Sequence, residues 1–71
     1  MNYSITQFGK ELDKNLYTLD LDKKIFASNE DHLVLDFAGI NGWNFKTGSD
    51  CTFNTGSDCT FNTGSYLRFQ D

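Results

Sequence analysis

Apolar and polar positions alternate in short runs along the second half of the chain, and the runs recur every eight residues. The apolar positions form pairs separated by one polar or small residue, namely Leu35/Phe37, Trp43/Phe45, Cys51/Phe53, Cys59/Phe61 and Leu67/Phe69. Apolar residues at i and i+2 around a polar residue are typical of a strand with one buried face. The pattern therefore predicts a series of short strands and a structural core made of these ten side chains.

The repeating unit is an octad. Residues 47–54 read Thr-Gly-Ser-Asp-Cys-Thr-Phe-Asn, residues 55–62 repeat them without change, and residues 63–70 keep the frame with substitutions. The Thr-Gly-Ser-Asp segments, like the Gly-Ile-Asn-Gly segment at 39–42, have the composition of turns. Each octad is therefore predicted to form one strand and one turn.

Two all-β folds fit these octads. In a short β-solenoid two octads close one coil, so that strands sixteen residues apart stack in parallel at about 4.8 Å. The apolar pairs then form ladders on two sheets, with Leu35, Cys51 and Leu67 beside Phe37, Phe53 and Phe69 on one, and Trp43 and Cys59 beside Phe45 and Phe61 on the other. In an antiparallel β-meander, successive octads form hairpins with four-residue turns. Identical repeats gain stability when each strand stacks on an identical strand. This favours the solenoid and leaves the meander as the alternative.

The first 30 residues depart from the octad frame and are predicted to form an N-terminal cap on a repeat domain of residues 31–71. The segment Ser4-Ile5-Thr6-Gln7 resembles a capping box and predicts a short helix. Alternation over residues 17–22 predicts a strand, whereas the segment around Ile25 and Phe26 is predicted to be irregular. Such a cap would cover one edge of the sheets.

Charge and composition argue against several classes of partner. Ten acidic and six basic side chains give a formal net charge of −4 and a pI near 4.6. Nucleic acid and anionic membrane surfaces both attract positive charge, so we expect neither as a partner. No apolar run is long enough for a transmembrane helix or a signal-peptide core. We therefore expect no membrane insertion, and a cytoplasmic or virion-associated location.

The residues with possible chemistry have structural interpretations that we prefer. Cys51 and Cys59 would lie on opposing sheets of the solenoid about 10 Å apart, beyond the Cα span of a disulfide, so reduced cysteines in the core are expected. His32 is the only histidine and no CxxC spacing is present, which argues against zinc. Asp50 and Asp58 could ligate calcium, but turn aspartates more often bond local backbone. We expect no catalytic, cofactor-binding or metal-ligating residue, no cofactor, no small-molecule ligand and no enzymatic activity.

The octads resemble the TGxxCTFx arrays of uncharacterised octapeptide-repeat proteins of phages and other microbes. The resemblance covers positions 31–66, and it includes the segment Leu-Val-Leu-Asp-Phe-Ala-Gly-Ile at 33–40 that precedes the array. It implies a repetitive β-fold similar to a β-solenoid and implies no particular activity.

The last strand in the octad frame, Leu67 to Phe69, has no cap visible in the sequence. An uncovered strand edge invites pairing with another chain, so we expect a homo-oligomer formed through this C-terminal repeat edge. The sequence thus predicts a structural module that self-associates by stacking its coils. Because every coil of the predicted solenoid has a similar cross-section, a filament is favoured over a two-fold dimer. The alternative is a non-catalytic binding or attachment module that presents Thr, Asn and Asp side chains to a partner.

Overall fold

The computed structural model describes residues 3–69, and those residues contain no α-helix. The strands are β1 (Ser4–Gln7), β2 (Lys10–Glu11), β3 (Tyr17–Asp20), β4 (Ile25–Ser28), β5 (Leu33–Phe37), β6 (Asn44–Lys46), β7 (Thr52–Thr55), β8 (Thr60–Asn62) and β9 (Arg68–Phe69). A 3₁₀ turn, Lys14–Leu16, joins β2 to β3, and the Asp13 carboxylate caps it by accepting from the N–H of Asn15 at 2.8 Å. The predicted all-β class is confirmed.

The strands form two mixed sheets. Sheet 1 has the order β2-β1-β5-β7-β9, and sheet 2 has the order β3-β4-β6-β8. The N-terminal strands pair antiparallel, β1 with β2 and β5, and β3 with β4. Strands β5, β7 and β9 pair in parallel, as do β4, β6 and β8. From β4 onward consecutive strands alternate between the sheets, so every connection there crosses from one sheet to the other.

The alternating side chains place one face of each central strand in the core. In β5, Leu33, Leu35 and Phe37 are buried, whereas Val34 and Asp36 between them are exposed. The buried apolar residues of the two sheets form one core, which consists of Ile5, Leu12, Phe26, Leu33, Leu35, Phe37, Trp43, Phe45, Cys51 and Phe53. Cys59 and Phe61 are partly buried against it.

Phenylalanines from β4 to β9 form a continuous series of ring contacts between the two sheets. From Phe26 through Phe37, Phe45, Phe53 and Phe61 to Phe69, successive ring centroids lie 6.1, 5.1, 5.6, 4.7 and 4.9 Å apart. Aromatic rings at these separations attract one another beyond the area that they bury. We call this set the phenylalanine series.

One predicted ladder has the wrong register. Leu35 pairs with Phe53 and not with Cys51, an offset of 18 residues, whereas Phe53 pairs with Phe69 at the expected offset of 16. The cause is a tight turn at residues 38–39, closed by a hydrogen bond of 3.0 Å from the N–H of Ile40 to the carbonyl of Phe37. These two extra residues shift the frame between β5 and β7.

The N-terminal prediction is wrong in two respects. The segment predicted to be a short helix is the strand β1, which pairs with β5 and buries Ile5. The segment predicted to be irregular is the strand β4, in which Phe26 is fully buried. In both cases pairing with a neighbouring strand and burial of an alternating face override the local signal.

Candidate functional site

The turns between strands stack on one another through a recurring set of three hydrogen bonds. Where residues 56–58 lie over residues 40–42, the N–H of Gly56 donates to the carbonyl of Ile40 at 2.9 Å. The N–H of Ser57 donates to Oδ1 of Asn41 at 2.7 Å. The N–H of Gly42 donates in the opposite direction, to the carbonyl of Ser57, at 3.0 Å. We call this three-bond set a turn contact.

Two more turn contacts have the same pattern, residues 48–50 over residues 30–32 and residues 64–66 over residues 48–50. The side-chain acceptor is Oδ1 of Asp31 in the first, at 2.7 Å from the N–H of Ser49, and Oγ of Ser49 in the second, at 3.1 Å from the N–H of Ser65. In each turn contact the lower turn therefore supplies a short side chain with an oxygen at its middle position.

The octad glycines make room for these acceptors. A Cβ on Gly56 would overlap Oδ1 of Asn41 and lie 2.8 Å from the carbonyl oxygen of Ile40, and a Cβ on Gly48 would meet Asp31 in the same way. The left-handed glycines are elsewhere, at Gly9, Gly39 and Gly42. The octad glycine is therefore required for close approach between stacked turns.

The last residue of each stacked turn adopts a left-handed conformation. The φ angles there are 60° at His32, 74° at Gly42, 58° at Asp50, 61° at Asp58 and 62° at Tyr66. Aspartate tolerates this conformation better than most residues, which explains its place in the octad. In each turn contact the N–H of this residue in the lower turn donates to the turn above it.

The possible ligands for a metal do not gather at the turns. Nε2 of His32 lies 3.9 Å from Oδ2 of Asp50, and both side chains are partly or largely exposed. Within residues 3–69 no group of three or more His, Cys, Asp or Glu side chains is placed to hold a metal ion.

The two cysteine thiols are free, and the cysteines lie directly before β7 and β8, beside the carbonyl oxygens of the turns. Sγ of Cys51 lies 3.6 Å from the carbonyl oxygen of Ser49, and Sγ of Cys59 lies 3.5 Å from that of Ile40. A thiol combines a small apolar body with a weak donor, so cysteine fits a position between the core and the carbonyl oxygens of the turns.

The two ends of the core differ in how they are covered. At the N-terminal end the core residues Ile5 and Leu12 are each only 4% exposed, although Leu16 and Leu21 in the turns there are partly exposed. At the other end Tyr66 is 73% and Phe69 61% exposed, although Phe69 belongs to the phenylalanine series. Leu67, predicted to be in the core with Phe69, is also exposed, so this part of the core prediction is wrong.

We call the exposed end the open end. It consists of the edge strands β8 and β9, the turns at residues 56–58 and 64–66, and the apolar side chains of Phe61, Tyr66, Leu67 and Phe69. Among the described residues, neither β8 nor β9 has a strand partner on its outer side. The open end therefore combines unpaired strand edges with apolar surface.

A groove of about 360 Å³ lies among the N-terminal strands, and its lining includes Tyr3, Glu11, Leu12 and Tyr17. Partial burial raises the pKa of the Tyr17 hydroxyl, and the neighbouring Tyr3 and Glu11 raise it further. The groove belongs to the N-terminal strands and shares no residue with the open end.

Sequence reasoning missed the acceptor side chains of the turns. The signal was present, because Asn41, Ser49, Ser57 and Ser65 follow one another at intervals of eight residues and Asp31 precedes them. These residues look like ordinary turn formers, and only the stacked turns show that Asp31, Asn41 and Ser49 each accept a hydrogen bond from the turn above.

In the part of the chain that the structure describes, no helix is long and apolar enough to cross a membrane. Comparison with protein-family models, with curated proteins and with solved structures gives no match for this chain.

Proposed function

We propose that this chain is a non-catalytic structural module that winds as a short β-solenoid and self-associates through its open end. Parallel pairing supports the winding, because strands that alternate between two sheets return to the same sheet after two octads. The offsets of 16 residues from Phe45 to Phe61 and from Phe53 to Phe69 equal two octads.

The observation that carries the association is the exposure of Phe69. Its ring lies 4.9 Å from that of Phe61 and continues the phenylalanine series, yet its side chain is largely exposed. Water can satisfy the backbone groups at the edges of β8 and β9, so hydrogen bonding alone does not force association. Removing the apolar rings from water is the stronger driving force.

The difference between the two ends bears on the form of the assembly. At the far edge of sheet 1, β2 has only two residues, the exposed Lys10 and Glu11, and at the far edge of sheet 2, β3 runs antiparallel to its neighbour. Head-to-tail stacking into a filament needs two matching ends. The unequal ends therefore favour a two-fold dimer in which two open ends meet with an antiparallel junction.

Sedimentation velocity over a range of concentrations tests this proposal. We expect the wild-type chain to be an oligomer and Phe69→Lys to be a monomer, because a charge on the exposed ring position opposes its burial. Phe8→Lys is the matched control, since Phe8 is 76% exposed and belongs to the turn between β1 and β2. This control should keep the wild-type mass.

A wild-type chain that stays monomeric at every concentration would contradict the proposal. That result would favour the alternative function, a binding module that presents its polar Thr, Asn and Asp side chains to a different partner.

A further inference from the structure

Each turn at the open end presents the groups that the lower turn contributes to a turn contact, but within residues 3–69 no turn lies above it. Residues 56–58 and 64–66 present the hydroxyl oxygens of Ser57 and Ser65, and the N–H groups of Asp58 and Tyr66 have no partner within residues 3–69. We propose that the open end binds an extended chain segment carrying octads, Thr-Gly-Ser-Asp-Cys-Thr-Phe-Asn, in parallel with β8 and β9. This inference rests on the open end of the proposed function and names the kind of segment that this surface binds.

The chain's own stacked turns show how such a segment fits. In the contact between residues 48–50 and 64–66, the N–H of Gly64 donates to the carbonyl of Gly48 at 3.1 Å. The N–H of Ser65 donates to Oγ of Ser49 at 3.1 Å, and the N–H of Asp50 donates to the carbonyl of Ser65 at 2.8 Å. An incoming Thr-Gly-Ser turn can make the same three bonds with Gly64, Ser65 and Tyr66.

Glycine in the incoming turn is required by the position of the serine hydroxyl. A Cβ on Gly64 would overlap Oγ of Ser49 and lie 3.1 Å from its backbone nitrogen. The hydroxyl of Ser65 stands in the place of Ser49 for the next turn, so an incoming residue with a Cβ meets the same obstruction. The open end therefore distinguishes an octad from other strands of similar apolar content.

The incoming phenylalanine supplies the apolar part of the interaction. Within the chain, rings two octads apart on sheet 2 lie close together, with 5.4 Å between the centroids of Phe45 and Phe61. A phenylalanine stacked on Phe61 or Phe69 extends the phenylalanine series by one member and covers the exposed ring.

The N-terminal end of a folded second copy cannot supply this partner. It has no Thr-Gly-Ser turn, and the octads of that copy are already paired in its own sheets. A free octad segment makes both the apolar contact and the turn contacts, so it should bind and displace a second copy from the open end.

The test uses the full chain and a fluorescent sixteen-residue peptide made of two octads, kept reduced, with binding followed by anisotropy. The control peptide has alanine in place of both glycines. We expect the octad peptide to bind at least about tenfold more tightly than the alanine peptide, because overpacking by one methyl group at each turn opposes stacking. In the chain, the double variant Ser57→Ala and Ser65→Ala should weaken octad binding, and Ser4→Ala, which removes an exposed hydroxyl from β1, should not.

Equal affinity for the two peptides, or no binding up to millimolar chain, overturns this inference. Sedimentation of the chain without peptide separates that result from failure of the proposed function. A chain that self-associates but does not distinguish the peptides keeps the proposed function and loses the inference. A monomeric chain that selects the octad peptide loses self-association and keeps the inference.

Discussion

The octad can be understood residue by residue from the turn contacts. Threonine begins the turn, and its hydroxyl donates to the carbonyl of the following glycine at 3.3 Å for Thr55 and Gly56. Glycine allows close approach, serine provides an oxygen for the next turn, and aspartate adopts the left-handed conformation at Asp58. Cysteine and phenylalanine then enter the core. Six of the eight positions of the repeat therefore have separate physical roles.

The glycine role can be tested at Gly56. Gly56→Ala should lower the free energy of unfolding by about 1–3 kcal/mol, because its Cβ has no space beside Asn41 and the carbonyl of Ile40. Ser57→Ala is the neighbouring control and should change it by no more than about 0.5 kcal/mol, since the backbone N–H bond to Asn41 is kept and only the long, exposed hydroxyl bond of 3.4 Å to the same oxygen is lost. Urea denaturation gives both values. Similar losses for the two variants would refute the steric role of this glycine.

The left-handed conformation can be tested at Lys24, whose φ is 58° in the turn before β4. Lys24→Gly should raise the free energy of unfolding by up to about 1 kcal/mol, because glycine adopts this conformation without the steric cost of a Cβ. Lys23→Gly, one residue earlier and without positive φ, should lower it by up to about 1 kcal/mol through chain entropy. Thermal or urea unfolding compares them, and a loss of stability at both positions would contradict the assignment.

At the scale of elements, the phenylalanine series predicts a gradient of stability along the strands. Phe53 is fully buried in β7, Phe61 is partly buried in β8, and Phe69 is largely exposed in β9. Phe53→Ala should cost about 3–5 kcal/mol of unfolding free energy, and Phe61→Ala should cost less. Thr52→Ala, which faces away from the core, should stay within about 0.5 kcal/mol.

The loss of unfolding free energy caused by Phe69→Ala should depend on protein concentration, because association adds stability only to chains that bury this ring. Urea unfolding at two widely separated concentrations measures it. Equal losses at Phe53, Phe61 and Phe69, independent of concentration, would contradict both the gradient and the role of the open end.

The strands of the octads could be predicted because their signal is local and repeated. The alternation of apolar and polar residues around Phe45, Phe53 and Phe61 predicts three strands, and the structure contains them as β6, β7 and β8. The shift between β5 and β7 could not be predicted, because nothing in the eight-residue frame shows that Ala38 and Gly39 form an extra tight turn. A register depends on the path of the connection as well as on the pattern of the strand.

The N-terminal strands could not be predicted for a different reason. The capping-box signal at residues 4–7 is short, and pairing of β1 with β5 buries Ile5 opposite Leu35. Leu12 also joins the core, and its N–H donates to the carbonyl of Ile5 at 3.0 Å. These contacts are long-range, so a weak local preference for helix does not decide the structure.

At the scale of the whole molecule, the central feature is the inequality of the two ends. The core residues Ile5 and Leu12 are buried at one end, whereas the ring of Phe69, which continues the phenylalanine series, is largely exposed at the other. The octad frame predicted an uncovered strand at residues 67–69, and β9 has no outer partner among the described residues, but the sequence did not show that the turns there carry unused serine acceptors. The candidate site therefore follows partly from the octad frame and partly from the stacking of the turns.

The most direct measurement of the proposed association is an isotope-filtered nuclear Overhauser experiment on a mixture of labelled and unlabelled chains. It reports only contacts between protons of different copies. We expect such contacts at Phe61, Leu67 and Phe69 of the open end. Intermolecular contacts confined to the N-terminal strands β2 and β3, or none at concentrations where the chain sediments as an oligomer, would contradict self-association through the open end.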